Sequence, residues 1–168
     1  VPDTDRSYAA MRNLALTVAI TTKLNRGHLV HGRDALILPV IARSEAIHTA
    51  AGEQFVTIED SMSNVTASRG VLPPASPDLL SEVEIVCRMA RATLPGSKVS
   101  WESYIDDYGA IRDKIAEVYP ALYSGFSEKI KSPNGFHLDV APRRLVWLTP
   151  NGKANFLPFP GLDVDVPV

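Results

Sequence analysis

The chain has 168 residues, enough for one domain or for one domain with an appendage. Apolar residues make up 45% and charged residues 21%, ordinary globular usage that permits a packed core and excludes wholesale disorder. The 17 basic and 19 acidic side chains give a formal charge of −2 without a basic block, so a nucleic-acid or anionic-membrane partner has no electrostatic support.

The one cysteine, Cys87, excludes a disulfide framework, a zinc knuckle or a four-cysteine cluster within these residues. Apolar runs such as residues 14–20 fall far short of a bilayer span, and no leader pattern opens the chain; a cytoplasmic origin is expected. The chain starts Val1-Pro2-Asp3 without an initiator methionine and closes on a Pro/Gly-rich stretch over 157–168. The expectation is a segment cut from a larger protein at both ends.

In chain order, Leu14-Ala15-Leu16-Thr17-Val18-Ala19-Ile20 is nearly continuous apolar, the pattern of a strand covered on both faces of a parallel sheet. One or two helical turns ended by Gly32 follow over 25–32. Residues 34–39 form a second strand that stops at Pro39. Residues 54–59 alternate and read as a third strand, suited to an edge. Ser76-Pro77-Asp78 carries helix-start signals, and Leu79, Val83, Val86, Ala90 and Leu94 then share a face until Pro95-Gly96. Trp101, Tyr104, Tyr108, Ile111, Ile115 and Val118 predict a second helix, capped by Ser100 and ending before Pro120. Beyond it, Leu145–Leu148 and Lys153–Phe156 flank Thr149-Pro150-Asn151-Gly152, a hairpin with an Asn-Gly turn. The fold class is therefore α/β: a partial Rossmann-like parallel sheet with helices over 1–120, then a loop and β-hairpin appendage over 121–168.

Few side chains carry chemistry by spacing alone. His28 and His31 lack a third ligand and read as capping or packing residues; Cys87 reads as a buried, inert thiol. Glu59-Asp60 and Asp106-Asp107 are adjacent, so their carboxylates point apart and read as solvated surface. Thr21 and Thr22 stand at the carboxyl end of the first strand, where open α/β sheets place ligands, although such hydroxyls serve equally as caps or loop residues. No glycine-rich phosphate loop follows that strand.

The stretches 16–26, 35–39, 56–62, 80–87 and 149–156, in this order and spacing, resemble the molybdopterin-dependent oxidoreductase alpha subunits of formate dehydrogenase type. The resemblance covers essentially the whole chain. It implies one part of a large subunit built around molybdopterin guanine dinucleotide with molybdenum, with an iron–sulfur cluster, if present, outside this segment. Residues 1–120 would then be part of a cofactor-binding α/β domain, and residues 121–168 a return segment leading toward a β-barrel. By the same resemblance, Thr21 and Thr22 match a polar pair that contacts a guanosine, and Glu82 matches an acidic residue at a helix start that accepts hydrogen bonds from a guanine edge. Arg43 matches a basic residue just after the second strand. Asp60-Ser61 departs from the basic pair of many relatives, so the resemblance does not carry a phosphate contact over to this position.

No catalytic and no metal-ligating residue is assigned within the segment, which alone is expected to be inactive. The implied partners are the remainder of the same polypeptide and an electron-transfer subunit; bare strand edges imply self-association. Two rival readings stay open: a stand-alone nucleotide-binding or regulatory module, and a structural or subunit-contact domain without chemistry.

Overall fold

The structure, a computed structural model, describes residues 3–156; the Pro/Gly-rich stretch after Phe156 and the first two residues lie outside the described part. The protein is mixed α/β, with a short parallel sheet, helices and antiparallel hairpins. Helix α1 (Thr4–Arg12), capped by the Asp3 carboxylate on Arg6 N, leads into β1 (Leu16–Thr21). Strand β2 (Asp34–Pro39) lies parallel to β1, in register from Leu16 opposite Asp34 to Thr21 opposite Pro39.

Between these strands the expected helical stretch shrinks to one 3-10 turn over Arg26–Leu29. Asn25 caps it through Gly27 N at 2.8 Å, and Asn25 N donates back to His28 Nδ1 at 2.9 Å. Gly32 does not end this turn. Its role is close approach, since a Cβ there would meet the Leu14 carbonyl oxygen at 2.4 Å.

The apolar runs of β1 and β2 are not sandwiched. Leu16, Val18, Leu36 and Ile37 stay 50%, 45%, 53% and 47% exposed. A continuous apolar run marks a strand whose faces are suited to cover, and these two strands alone do not supply that cover.

After Pro39 the chain continues the parallel pattern for one more residue. Val40 N donates to Thr21 O at 3.2 Å, and Ile41 N donates on the other side to Leu80 O at 3.0 Å. Val40 and Leu80 therefore form a parallel bridge, which places three chain segments side by side with their carboxyl ends together.

The expected third strand splits. Gln54 ends β4 (Gly52–Gln54), antiparallel to β3 (Ile47–Thr49), whereas Val56–Glu59 is β5. β5 is an edge strand, but of a separate antiparallel sheet with β6 (Asn64–Ser68) and β7 (Phe136–His137) in the order β5-β6-β7. Asp60 turns that hairpin. Its Oδ1 accepts from Met62 N at 2.8 Å and from Asn64 N at 3.0 Å.

Helix α2 spans Glu82–Thr93 and is capped by Ser81, not Ser76. Ser76 instead closes a local turn onto Asp78 N, and Leu80 is held in extended pairing with Val40, which keeps the helix from starting earlier. The buried face shifts accordingly to Ile85 and Cys87, leaving Val86 and Leu94 exposed.

The second expected helix is broken at Asp107, whose extended backbone (φ −142°, ψ 113°) separates α3 (Trp101–Asp106) from α4 (Tyr108–Val118). The Asp107 carboxylate caps α4 through Gly109 N at 2.7 Å; Ser100 makes no side-chain cap. Short helices α5 (Pro120–Tyr123) and α6 (Phe126–Lys129) follow, and Val65, Phe126, Ile130 and Leu138 form the buried core.

The Thr149–Gly152 turn is present, with Gly152 N on Thr149 O at 3.0 Å, but no strand ladder flanks it among the described residues. Thr149 Oγ1 takes up Lys153 N and Lys153 O itself, so the turn closes on a side chain, not on cross-strand pairs. The antiparallel hairpins of the fold lie upstream, at β3–β4 and β5–β6. Among the described residues no helix is long and apolar enough to cross a membrane.

The two backbone N–H donors on Asp60 hold its carboxyl below the usual range. A lowered folded-state value stabilises the fold fully above the unfolded-state value of about 3.9, and that stabilisation is lost as pH falls through the folded value. Asp60→Ala is therefore expected to lower the Tm near neutral pH, with the gap to the parent protein closing in strong acid. A gap independent of pH, read by thermal melts across the acid range, would contradict this.

Candidate functional site

Two of the three adjacent carboxyl ends, those after Val40 and Leu80, lead into a cleft of about 210 Å³. Residues 41–45 form one wall, the start of α2 a second, and the β-hairpins with Gln54, Phe55 and Ser68 a third. This volume lies below the roughly 300–1,000 Å³ typical of a complete small-molecule site. It suits one planar base or a similar fragment.

Two charged side chains in the cleft are not consumed by the fold. Arg43 and Glu82 both line it, both are exposed, and among the described residues neither side chain has a hydrogen-bond or ion-pair partner. Glu45 is different: its two carboxylate oxygens accept from Ala42 N at 2.6 Å and Ala75 N at 3.0 Å, so it fastens the wall. Glu82 occupies the first residue of α2, next to the capping Ser81.

Thr21 and Thr22 are not among the residues lining this cleft. The Thr21 hydroxyl is taken up locally, donating to Lys23 O at 2.9 Å and accepting from Lys23 N at 3.3 Å. Thr21 belongs to the β1 row and Leu80 to the row beyond Val40, so about 10 Å, two strand spacings, separates them. The four residues thus share one end of the sheet, but only Arg43 and Glu82 share the cleft.

Behind Glu82 lies a buried polar chain that no sequence motif announces as a whole. Tyr108 OH and Ser81 Oγ are 2.5 Å apart, Ser81 Oγ accepts from Glu84 N at 3.1 Å, and Tyr108 N donates to Gln54 Oε1 at 3.0 Å. Gln54 in turn donates to Gly52 O at 3.2 Å. Burial raises the Tyr108 phenol above its ordinary value, which keeps it a neutral hydrogen-bonding group. Ser81 could have been found from the Ser-x-x-Glu pattern Ser81 to Glu84. Tyr108, 27 residues away from Ser81, could not.

Phe55, in the hairpin wall, carries two guanidinium groups on its ring: Arg69 and Arg112, each 4.1 Å from the centroid. Arg112 is 9% exposed and donates to Phe55 O at 3.3 Å; its burial lowers the guanidinium below its usual value. A second hollow on the far side of Glu82 is lined by Val83, Val86, Cys87, Trp101, Tyr104 and Ile111 and is apolar. Burial pushes the Cys87 thiol up, consistent with an inert core cysteine. His28 is engaged in the Asn25 cap, and His31 Nδ1 lies 2.7 Å from Gly32 O. Among the described residues no group of three or more His, Cys, Asp or Glu side chains is placed to hold a metal ion.

Fold and cleft together define a mixed α/β protein with a cleft of about 210 Å³ beside the carboxyl ends of parallel segments. The chain is similar to two kinds of curated protein. It is 48% identical over 168 residues to "Uncharacterized oxidoreductase Rv2900c" of Mycobacterium tuberculosis (strain ATCC 25618 / H37Rv), covering 99% of this chain and 21% of that protein. It is 46% identical over 162 residues to "Protein YdeP" of Escherichia coli (strain K12), covering 96% of this chain and 21% of that protein. The chain thus spans about a fifth of the length of these relatives. No family model matches the chain, and no solved structure matches it significantly.

The cleft depends on one close backbone approach. A Cβ on Gly70 would stand 1.9 Å from Glu45 O, whereas one on Gly96 would meet nothing within 4 Å. Gly70→Ala is expected to destabilise the protein by about 1–3 kcal/mol, and Gly96→Ala to be close to neutral, both read by urea unfolding. Equal stability of the two variants would show that residues 45 and 70 are not packed as described.

Proposed function

We infer that this chain is part of an oxidoreductase of the molybdopterin guanine dinucleotide class, formate dehydrogenase-like, and that its cleft holds the guanosine end of one cofactor. The observation that carries the reading is the pair Arg43 and Glu82, two unspent opposite charges in one base-sized cleft at the carboxyl ends of parallel segments. The sequence resemblance and the oxidoreductase names of the Mycobacterium relatives support the same class.

The donor set fits the group. A guanine presents two parallel N–H donors along one edge, which one carboxylate accepts together in a charge-assisted pair. Glu82 is that carboxylate, and Arg43 is a fixed cation suited to the cofactor's anionic groups. Phe55 lines the hairpin wall and adds apolar ring edge to it, its ring being engaged by the guanidinium groups of Arg69 and Arg112. Thr21 and Thr22, two strand spacings from the Leu80 row and outside the cleft, would reach only a part of the cofactor beyond the base. The cofactor supplies the two-electron redox chemistry on a small substrate such as formate; this chain's residues bind, orient and shield its nucleotide end.

The half-exposed apolar faces of β1 and β2 support further contacts, with the remainder of a larger polypeptide, an electron-transfer subunit or a second copy of the chain. The cytoplasm is the proposed compartment.

Glu82→Ala removes a bidentate acceptor, a loss of roughly 1–3 kcal/mol, or about 5–150-fold in affinity. The intact enzyme carrying it is expected to retain less cofactor, read as molybdenum per protein by mass spectrometry. Unchanged molybdenum content would count against the assignment.

A further inference from the structure

We propose that Tyr108 is a positioning residue that aims Glu82 and so sets the cleft's preference for a base carrying an amino group beside its ring N–H. This rests on the guanosine reading of the cleft.

Tyr108 is 3% exposed, Ser81 4% and Gln54 6%, and their polar groups join into one continuous buried chain. At one end Gln54 is anchored to Gly52 O in the β3–β4 hairpin. At the other end Ser81 caps α2 through Glu84 N, and Glu82 is the residue bonded directly to Ser81. Gln54, Ser81, Tyr108 and Glu82 all line the same cleft.

A buried hydroxyl pair cannot relax into water, so the separation of Tyr108 OH from Ser81 Oγ fixes where the first turn of α2 sits. Glu82 has no hydrogen-bond or ion-pair partner of its own among the described residues. The backbone that Ser81 holds therefore sets where Glu82 leaves the helix, and its carboxylate settles only when a ligand engages it. A single hydrogen bond from a ligand tolerates a tilted carboxylate, but two parallel ones do not. Loss of the Tyr108 hydroxyl thus acts on the second bond more than on the first.

The test compares guanosine diphosphate with inosine diphosphate, which keeps the ring N–H but lacks the amino group, by calorimetry on the full chain. The unmodified protein is expected to prefer the guanine nucleotide by about tenfold. Tyr108→Phe keeps the ring and its packing and is expected to bring that preference close to one, while inosine diphosphate affinity stays nearly unchanged. Ser81→Ala should repeat the loss from the other side of the contact, and Ser81→Thr, which keeps a capping hydroxyl, should restore the preference. The two serine variants carry the test if Tyr108→Phe does not fold.

A purely structural Tyr108 would weaken both nucleotides in parallel and leave their ratio intact; that result overturns the proposal while leaving the guanosine reading standing. Absence of any preference in the unmodified protein overturns the guanosine reading and the positioning role with it.

Discussion

One backbone contact organises the cleft end of this molecule: Ile41 N on Leu80 O at 3.0 Å, across the Val40–Leu80 bridge. It joins a segment that has just left β2 to one that enters α2 about forty residues later. Because Val40 is buried at 4% exposure and simultaneously bonded to Thr21 O, the three carboxyl ends are fixed side by side. Without that bridge the first turn of α2 and the 41–45 segment have no common reference, and Arg43 and Glu82 do not share a cleft.

Around this bridge the fold spends most of its polar groups on itself. Glu45 fastens two segments, Asp60 turns one hairpin, and Asp107 caps α4. Arg43 and Glu82, by contrast, are exposed in the cleft with no hydrogen-bond or ion-pair partner among the described residues, which leaves both open to a ligand. Opposite charges in a shallow cleft, one of them at a helix start, match a ligand with both an N–H edge and an anionic part. A nucleotide has both.

The sequence made the local chemistry legible and the long-range chemistry not. Both parallel strands were readable from apolar runs ended by Thr21 and by Pro39; Cys87 is buried as expected, but on a face with Ile85 and not beside Val86, which is exposed. Ser76-Pro77-Asp78 carries every local mark of a helix start, yet pairing of Leu80 with Val40 holds that stretch extended and moves the cap to Ser81. Trp101 to Val118 keeps helical spacing throughout, but Asp107 gains more by capping Gly109 than by continuing the turn. The Asn-Gly turn after Thr149 formed without its ladder because a threonine side chain, not an opposite strand, satisfies it. Of the four residues singled out by resemblance, Arg43 and Glu82 line one cleft, whereas Thr21 and Thr22 lie outside it. Tyr108, which completes the site from behind, was invisible because only the folded chain brings it to Ser81.

The most direct test of this account is to map, by NMR, which backbone amides shift when guanosine diphosphate is added to the isotope-labelled protein. Changes centred on residues 41–43, 81–83 and 108 would place the base between the Arg43 and Glu82 walls, as the account predicts. Changes confined to the apolar hollow around Trp101 and Tyr104, or to the turn at Thr149–Gly152, would contradict it.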